Sequence, residues 1–214
     1  RRDETGVGDH LDVTLWESTA VLNTSGWMNF SMNGVEPERM GNRNERMAPH
    51  GCYPCRGEDA WVSIACSSDA HWQALAKEID PGLSGDTRFS SFEQRKANED
   101  EIDFLIAEWS SSRDRWDITR LLQNIGIAAF PTMTTQDIVE DSHLAERGFI
   151  ERLPHPEVGP RAHSGIPWVT SNTVSRVRSS APCLGADTDR HLKEILGYTP
   201  EHIADLYSRG VIGI

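Results

Sequence analysis

Long apolar runs are missing from this 214-residue chain. No stretch approaches the roughly 18 consecutive apolar residues of a membrane span, so no helical anchor is expected. No signal peptide is visible either, and the chain does not begin with Met. We read it as cytoplasmic and as part of a longer polypeptide. Positive charge is also short: 21 Lys and Arg stand against 33 Asp and Glu, for a formal net charge of −12. That balance excludes a general nucleic-acid or anionic-membrane surface, while leaving room for a local basic pocket that takes a phosphorylated ligand. Glycine-rich dinucleotide loops, phosphate loops and the GxSxG nucleophile turn are all absent. There is no internal repeat and no low-complexity tract.

Cysteine is scarce, with Cys52, Cys55, Cys66 and Cys183 only. Cys52 and Cys55 form a CxxC. A thioredoxin-like redox pair opens a helix after a strand, whereas Arg56-Gly57-Glu58-Asp59, a turn, follows here. A zinc site wants a second CxxC or a CxxH, and neither occurs. The pair therefore reads as two thiols on an extended segment. The histidines show no metal-ligand spacing: His71, His191 and His202 fall on expected helix surfaces, and His143 and His155 fall in turns. No metal is expected.

What is present is enough apolar material, 37% of residues, for a real core. The stretch that organises it is Gly41 to Cys55, GNRNERMAPHGCYPC, which has neither a helical nor a strand period and must turn repeatedly. An apolar segment precedes it: a short strand around His10 to Thr14, then a helix from about Leu15 to Phe30, with Trp27, Met28 and Phe30 as core or interface residues. Ala60 to Cys66 reads as a buried strand. Ser67-Ser68-Asp69 offers caps for a helix from Ala70 to Ile79, which Pro81-Gly82 ends. A helix from about Glu93 to Trp109 and another up to Asn124 follow. Ile127 to Thr132 reads as a strand, with Pro131 marking a strand end or an edge. Short helices at Thr135 to Val139 and Ser142 to Arg147 and a strand at Phe149 to Leu153 come next. Residues 154 to 182 carry five prolines and no amphipathic helix. They read as an extended connector with short strand pieces near Arg161 and Trp168. Helices from about Asp189 to Leu196 and from Thr199-Pro200 onward complete the chain.

Four blocks in order then carry a resemblance: TGVGDHLDVTLWES, GNRNERMAPHGCYPCRGEDAWVSIA, GIAAFPTMTTQDIVEDSHLAERGFIERLPHPEVG and APCLGADTDRHLKEILGYTPEHIADLYSRGVI. Together they resemble the C-terminal half of the class III CoA-transferase family (CaiB/BaiF type), which includes formyl-CoA transferases, carnitine CoA-transferases and α-methylacyl-CoA racemases. The resemblance implies an enzyme of about twice this length. It implies an α+β small domain at 50–150, a mixed sheet with three or four helices. Residues 1–49, a helical remnant with the active-site loop, and 151–214, a connector with C-terminal helices, would belong to an incomplete α/β large domain. The implied activity moves CoA between an acyl-CoA thioester and a carboxylic acid. The alternatives are an acyl-CoA racemase or isomerase of the same fold, using a His and carboxylate pair, and a non-catalytic truncated module.

In that family the nucleophilic Asp lies shortly before the TGxG segment, so no catalytic residue is assigned in this chain; Asp3 and Asp9 lie too close to the segment or within it. The loop that covers the thioester matches Arg43 to Gly51. There ERMAPHG stands in place of a run of glycines, giving Arg43, Arg46, Met47, Ala48, Pro49, His50 and Gly51 as the candidate active-site loop. His50 is either a proton donor or a loop histidine with a structural bond. Arg43 and Arg46 either hold a carboxylate or a CoA phosphate, or are simply solvated. Ser67, Ser68 and Asp69 either touch CoA or only cap a helix. The expected partners are acyl-CoA and carboxylate substrates and, in the whole enzyme, a second copy in an interlocked homodimer.

Overall fold

The computed structural model describes residues 1–213. By backbone proximity they form two compact units, Arg1–Thr132 and Met133 onward.

The first unit is built on a three-stranded sheet of β1 (His50–Pro54), β2 (Trp61–Ala65) and β3 (Ala128–Pro131), in the order β1-β2-β3. Both pairings are antiparallel, with Cys52 opposite Ser63 and Ser63 opposite Phe130. A mixed sheet was expected, and the register explains the difference. β3 starts at Ala128 opposite Ala65, where β2 ended, so the helical connection brings the chain back to the end of the sheet it left. The β1–β2 turn holds Gly57 at φ 121, a region closed to residues with a Cβ.

Alternation decides which way each strand faces. Val62 and Ile64 point inward, and Trp61 and Ser63 outward. Three helices carry the core over the inward residues. These are α3 (Asp69–Ile79), α5 (Glu99–Ser111) and α6 (Arg115–Asn124), in a series that begins with α1 (Leu15–Ala20) and α2 (Thr24–Asn33) and includes α4 (Phe92–Ala97). Trp72 and Leu75 of α3, Ile102 and Ile106 of α5, and Ile118 and Leu122 of α6 close over Tyr53, Val62 and Ile64. Trp72 packs edge-on against Phe89 with ring centroids 5.5 Å apart. Truncating one of these side chains to Ala costs about 2–5 kcal/mol.

Side-chain caps start three of the helices in this unit. Ser68 accepts from the His71 amide at 3.2 Å, Ser91 from Gln94 at 3.3 Å and Asp114 from Trp116 at 2.8 Å. The single helix expected over 93–109 is two, broken at Asn98. The Asn98 amide donates to the Gln94 carbonyl at 2.8 Å, competing with the helical ladder. The expected strand at His10 to Thr14 does not form. Leu11, Val13 and Leu15 are 83%, 75% and 87% exposed, no strand lies beside them, and Thr14 instead caps α1 through the Glu17 amide. The helix expected over 15–30 is α1 and α2 joined by a 3-10 turn at Val21–Asn23. Trp27 and Phe30, at 60% and 57% exposure, are not core residues of this unit.

The second unit opens with α7 (Thr135–Glu140) and α8 (Ser142–Glu146), followed by the antiparallel hairpin β4 (Ile150–Leu153) and β5 (Arg161–Ser164). The hairpin turn is closed by reciprocal bonds between His155 and Gly159, with Gly159 at φ 69. The strand piece expected near Arg161 is β5; none forms near Trp168. The connector is nonetheless tied down, because the Glu151 carboxylate accepts from the Val177 amide at 3.0 Å. Two helices end the unit, α9 (Thr188–Glu194) and α10 (Pro200–Ser208). They are joined by a bond from the Tyr207 hydroxyl to Asp189 at 2.8 Å. None of the helices is long and apolar enough to cross a membrane among the described residues.

Candidate active-site wall

The helices cover one face of the three-stranded sheet and leave the other open. On the open face is a cleft of about 610 Å³. Its floor is Cys52, Ser63, Ala65, Ala128 and Phe130, with the backbone of Ile64 between them, and its rim is Gly41, Asn42, Arg43 and His50. No carboxylate lines it. The floor is largely apolar, and Gln123, at its edge, spends its amide on the Ala129 carbonyl at 2.9 Å. The cleft can therefore enclose an apolar group and offer His50 and a thiol beside it.

The rim is the loop that the sequence singled out, and it is fastened along its length. Arg43 donates to Asp100 at 2.5 Å and to Asp103 at 2.9 Å on α5. These two bonds hold its guanidinium firmly protonated, raised from the ordinary value despite some burial. Asp103 also accepts from the buried Tyr53 hydroxyl at 2.8 Å. Burial first, then the Asp103 charge, pushes the Tyr53 phenol upward, so it stays a neutral donor. Lys96 donates to the Asn44 carbonyl at 3.2 Å, and Arg95 to the Ala48 carbonyl at 2.8 Å. The Pro49 carbonyl accepts from the Cys66 amide at 2.9 Å. His50 Nδ1 lies 2.5 Å from the Asn42 carbonyl. A carbonyl only accepts, so in the neutral ring the proton sits on Nδ1 and the lone pair on Nε2. That assignment leaves Nε2 able to accept a proton or a hydrogen bond.

The expected loop residues therefore divide. Arg43, His50 and Gly51 line the cleft. Ala48 and Pro49 are buried spacers, and Met47 pairs in an isolated bridge with Asn44. Gly51 owes its identity to packing, since a Cβ there would lie 2.7 Å from the Tyr53 hydroxyl. Arg46 is exposed at the tip, and its guanidinium makes no ion pair among the described residues. The loop is also shorter than it reads in the sequence, because His50–Pro54 is a strand. Ser68 caps α3, Ser67 lies 3.3 Å from His71 Nδ1, and Asp69 pairs with Arg95 at 2.6 Å. None of these three lines the cleft. Asp3 and Asp9 sit in exposed pairs with Arg2 and Arg1. Cys52 opens onto the cleft while Cys55 and Cys66 are buried. Burial pushes the Cys55 thiol up to about 11 and the Cys66 thiol up to about 12, which leaves both inert near neutral pH. Among the described residues no group of three or more His, Cys, Asp or Glu is placed to hold a metal.

Sequence reasoning passed over Arg95, Lys96, Tyr53 and Asp103. A signal existed for Arg95: it lies seven residues before Ile102, on the buried helical phase, where a charge needs a partner.

A family model described as CoA-transferase family III matches residues 1–188, and the chain belongs to that family. Among curated relatives it is similar to the beta subunit of the succinyl-CoA–L-malate CoA-transferase of Chloroflexus aurantiacus, 29% identical over 222 residues, covering 99% of this chain and 53% of the relative. It is also similar to the formyl-CoA:oxalate CoA-transferase of Streptomyces coelicolor, 30% identical over 182 residues, covering 84% of this chain and 44% of the relative. Among solved structures it is similar to a CAIB/BAIF family protein from Brucella suis, with TM-score 0.76, 26% identity, and 91% of this chain against 50% of that one covered. The chain thus spans about half the length of these relatives.

Proposed function

We propose that this chain forms one wall of the acyl-CoA site of a CoA-transferase that moves CoA between an acyl-CoA thioester and a carboxylic acid. The observation that carries the reading is the cleft on the open sheet face. It offers an apolar floor, a histidine with a free Nε2 and a fastened rim, but no carboxylate. A covalent acyl-transfer mechanism of this family needs a carboxylate nucleophile. On this reading it comes from residues outside the chain, and Arg43, Arg46 and His50 contribute binding and orientation. Since Arg43 is committed to α5, Arg46 is the loop cation left to meet a CoA phosphate or a carboxylate. Ser67 and Ser68, beside the first turn of α3, are the secondary candidates for a CoA contact.

The three-part organisation belongs to the same proposal. Residues 50–150 are the small domain, and 1–49 and 151–214 pack on a large α/β domain. Supporting this, Leu15, Trp16 and Leu22 in the first unit and Leu184, Ile195 and Leu196 in the second are strongly exposed. A homodimeric, cytoplasmic whole enzyme using no metal completes the reading. The test uses the 214-residue chain with succinyl-CoA, formyl-CoA or a branched acyl-CoA and a range of carboxylate acceptors, beside the whole protein. We expect transfer from the whole protein and none from the chain. Robust transfer by the chain that survives Asp3→Ala and Asp9→Ala would overturn the proposal. Exchange of the α-proton without transfer in the whole protein would redirect it to a racemase.

A further inference from the structure

Arg95 is the one cation inside the core of the first unit, at 1% exposure. Its guanidinium points in three directions. Nε donates to the Ala48 carbonyl at 2.8 Å, Nη1 to the Phe89 carbonyl at 3.3 Å and Nη2 to Asp69 at 2.6 Å. A buried charge is a poor device for stability alone, since an apolar side chain of similar volume often does as well or better. What an apolar residue cannot do is hold groups at fixed angles. Two of the three groups are telling. Ala48 precedes His50 by two residues in the rim of the cleft, and Asp69 opens α3 at the Ser67–Asp69 turn. They are the two segments of the chain proposed to meet substrate, 21 positions apart, and Arg95 is bonded to both. Its neighbour Lys96 adds a second fastening to the same loop at Asn44.

We infer that Arg95 is a positioning residue that couples the cleft rim to the Ser67–Asp69 turn and so fixes the placement of the His50 ring. The three hydrogen bonds belong to the chain's geometry; the relevance of the coupling to thioester chemistry rests on the function proposed above. The rim on this view is a braced wall rather than a lid.

The test compares the 214-residue chain with its Arg95→Met, Arg95→Lys and Asp69→Asn variants. Arg88→Gln serves as the control, since it removes a surface ion-pair cluster that does not touch the loop. Two readouts are taken: the ring ¹⁵N signature of His50, which reports the Nδ1–H tautomer, and amide exchange at Asn42–Met47 relative to Ile64 and Ile102. Arg95→Met is expected to lose the tautomer signature and to raise loop exchange at least tenfold beyond the core. Arg95→Lys should restore part of the protection, because an ammonium can meet one or two of the three acceptors. Asp69→Asn, which keeps the arginine, should loosen the loop from across the joint. Arg88→Gln should change neither readout. Loop and core exchange rising by the same factor in the Arg95 variants, or a loop indifferent to Asp69→Asn, would reduce Arg95 to a buttress and overturn the inference. If Arg95→Met does not fold, the Lys and Asn variants decide. None of these readouts needs turnover. A whole protein that fails to transfer CoA would remove the function reading and leave the coupling standing.

Discussion

Substituting Gly51 by Ala separates a ligand-contact glycine from a packing glycine. The new Cβ would lie 2.7 Å from the Tyr53 hydroxyl oxygen and 2.8 Å from the adjacent ring carbon. Ordinary contact begins near 3.4 Å, so the ring must withdraw by about 0.7 Å, that is 3.4 − 2.7. Tyr53 has little room, being 3% exposed and bonded to Asp103 at 2.8 Å. Withdrawal lengthens that bond toward about 3.5 Å, where it ceases to count. Overpacking costs about 1–3 kcal/mol and a lost buried hydrogen bond about 1 kcal/mol. Against these, Ala is better than Gly in a strand by about 0.5 kcal/mol. The net expectation is a loss of about 2–3 kcal/mol, read as a lower urea midpoint at unchanged slope. In a Tyr53→Leu background the clash is gone, and Gly51→Ala should be neutral or slightly stabilising, giving a coupling of about 2 kcal/mol in the double-mutant cycle. A cost below about 0.5 kcal/mol for Gly51→Ala alone, or the same cost in both backgrounds, would refute the packing explanation and return Gly51 to the ligand.

Alkaline pH should unfold the first unit early. The Cys66 thiol is raised by burial to about 12, so its contribution is fully present below the unfolded value and is lost as pH climbs from about 9 toward 12. Three pH units bound that loss at about 4 kcal/mol. The stability of Cys66→Ala should fall less steeply over the same range in urea titrations, and an unchanged slope would count against the assignment. In the whole protein, Arg46→Ala should raise KM for acyl-CoA about 3- to 10-fold with kcat nearly unchanged, because a loop cation that meets a phosphate binds ground and transition states alike. A change confined to kcat would place Arg46 elsewhere. Thr199 accepts from the His202 amide at 3.3 Å at the start of α10. Thr199→Ala should cost that helix about 1 kcal/mol, read as faster amide exchange over 200–208 alone.

What could be read from the sequence was what local chemistry decides. Ser68 and Thr199 are caps in both readings, since a side-chain oxygen before an apolar repeat has few other uses. The strands at Trp61–Ala65 and Ala128–Pro131 followed from the short apolar runs 60–66 and 127–132. What was hidden depended on partners distant in sequence. His50–Pro54 contains Gly and Pro, poor strand formers, and is a strand only because β2 offers it a ladder. Leu11, Val13 and Leu15 alternate well but have no strand beside them, and a strand is a pairing before it is a pattern. Asn98 is a local exception: it splits a helix whose apolar phase runs on undisturbed, by turning its side-chain amide to the carbonyl four residues back.

The candidate site shows the same division more sharply. Its location was legible, because a loop rich in turn residues between two regular elements is where functional groups collect. The division of labour within it was not. Arg43 and Arg46 are the same residue type three positions apart, yet one is bound to two aspartates on α5 and the other stands in solvent. Only the position of α5 distinguishes them. The acidic face of that helix, which reads as a solvated surface, turns out to carry the brace for the rim through Asp100 and Asp103. A charge run that looks idle in one dimension can be the partner of a loop 57 or 60 residues away. The consequence reaches the chemistry: each cation fastened to α5 or α3 is one fewer for a phosphate, so the rigidity of the wall and its capacity to bind anions are set against each other. On the function proposed above, Arg46 is the loop cation left for binding.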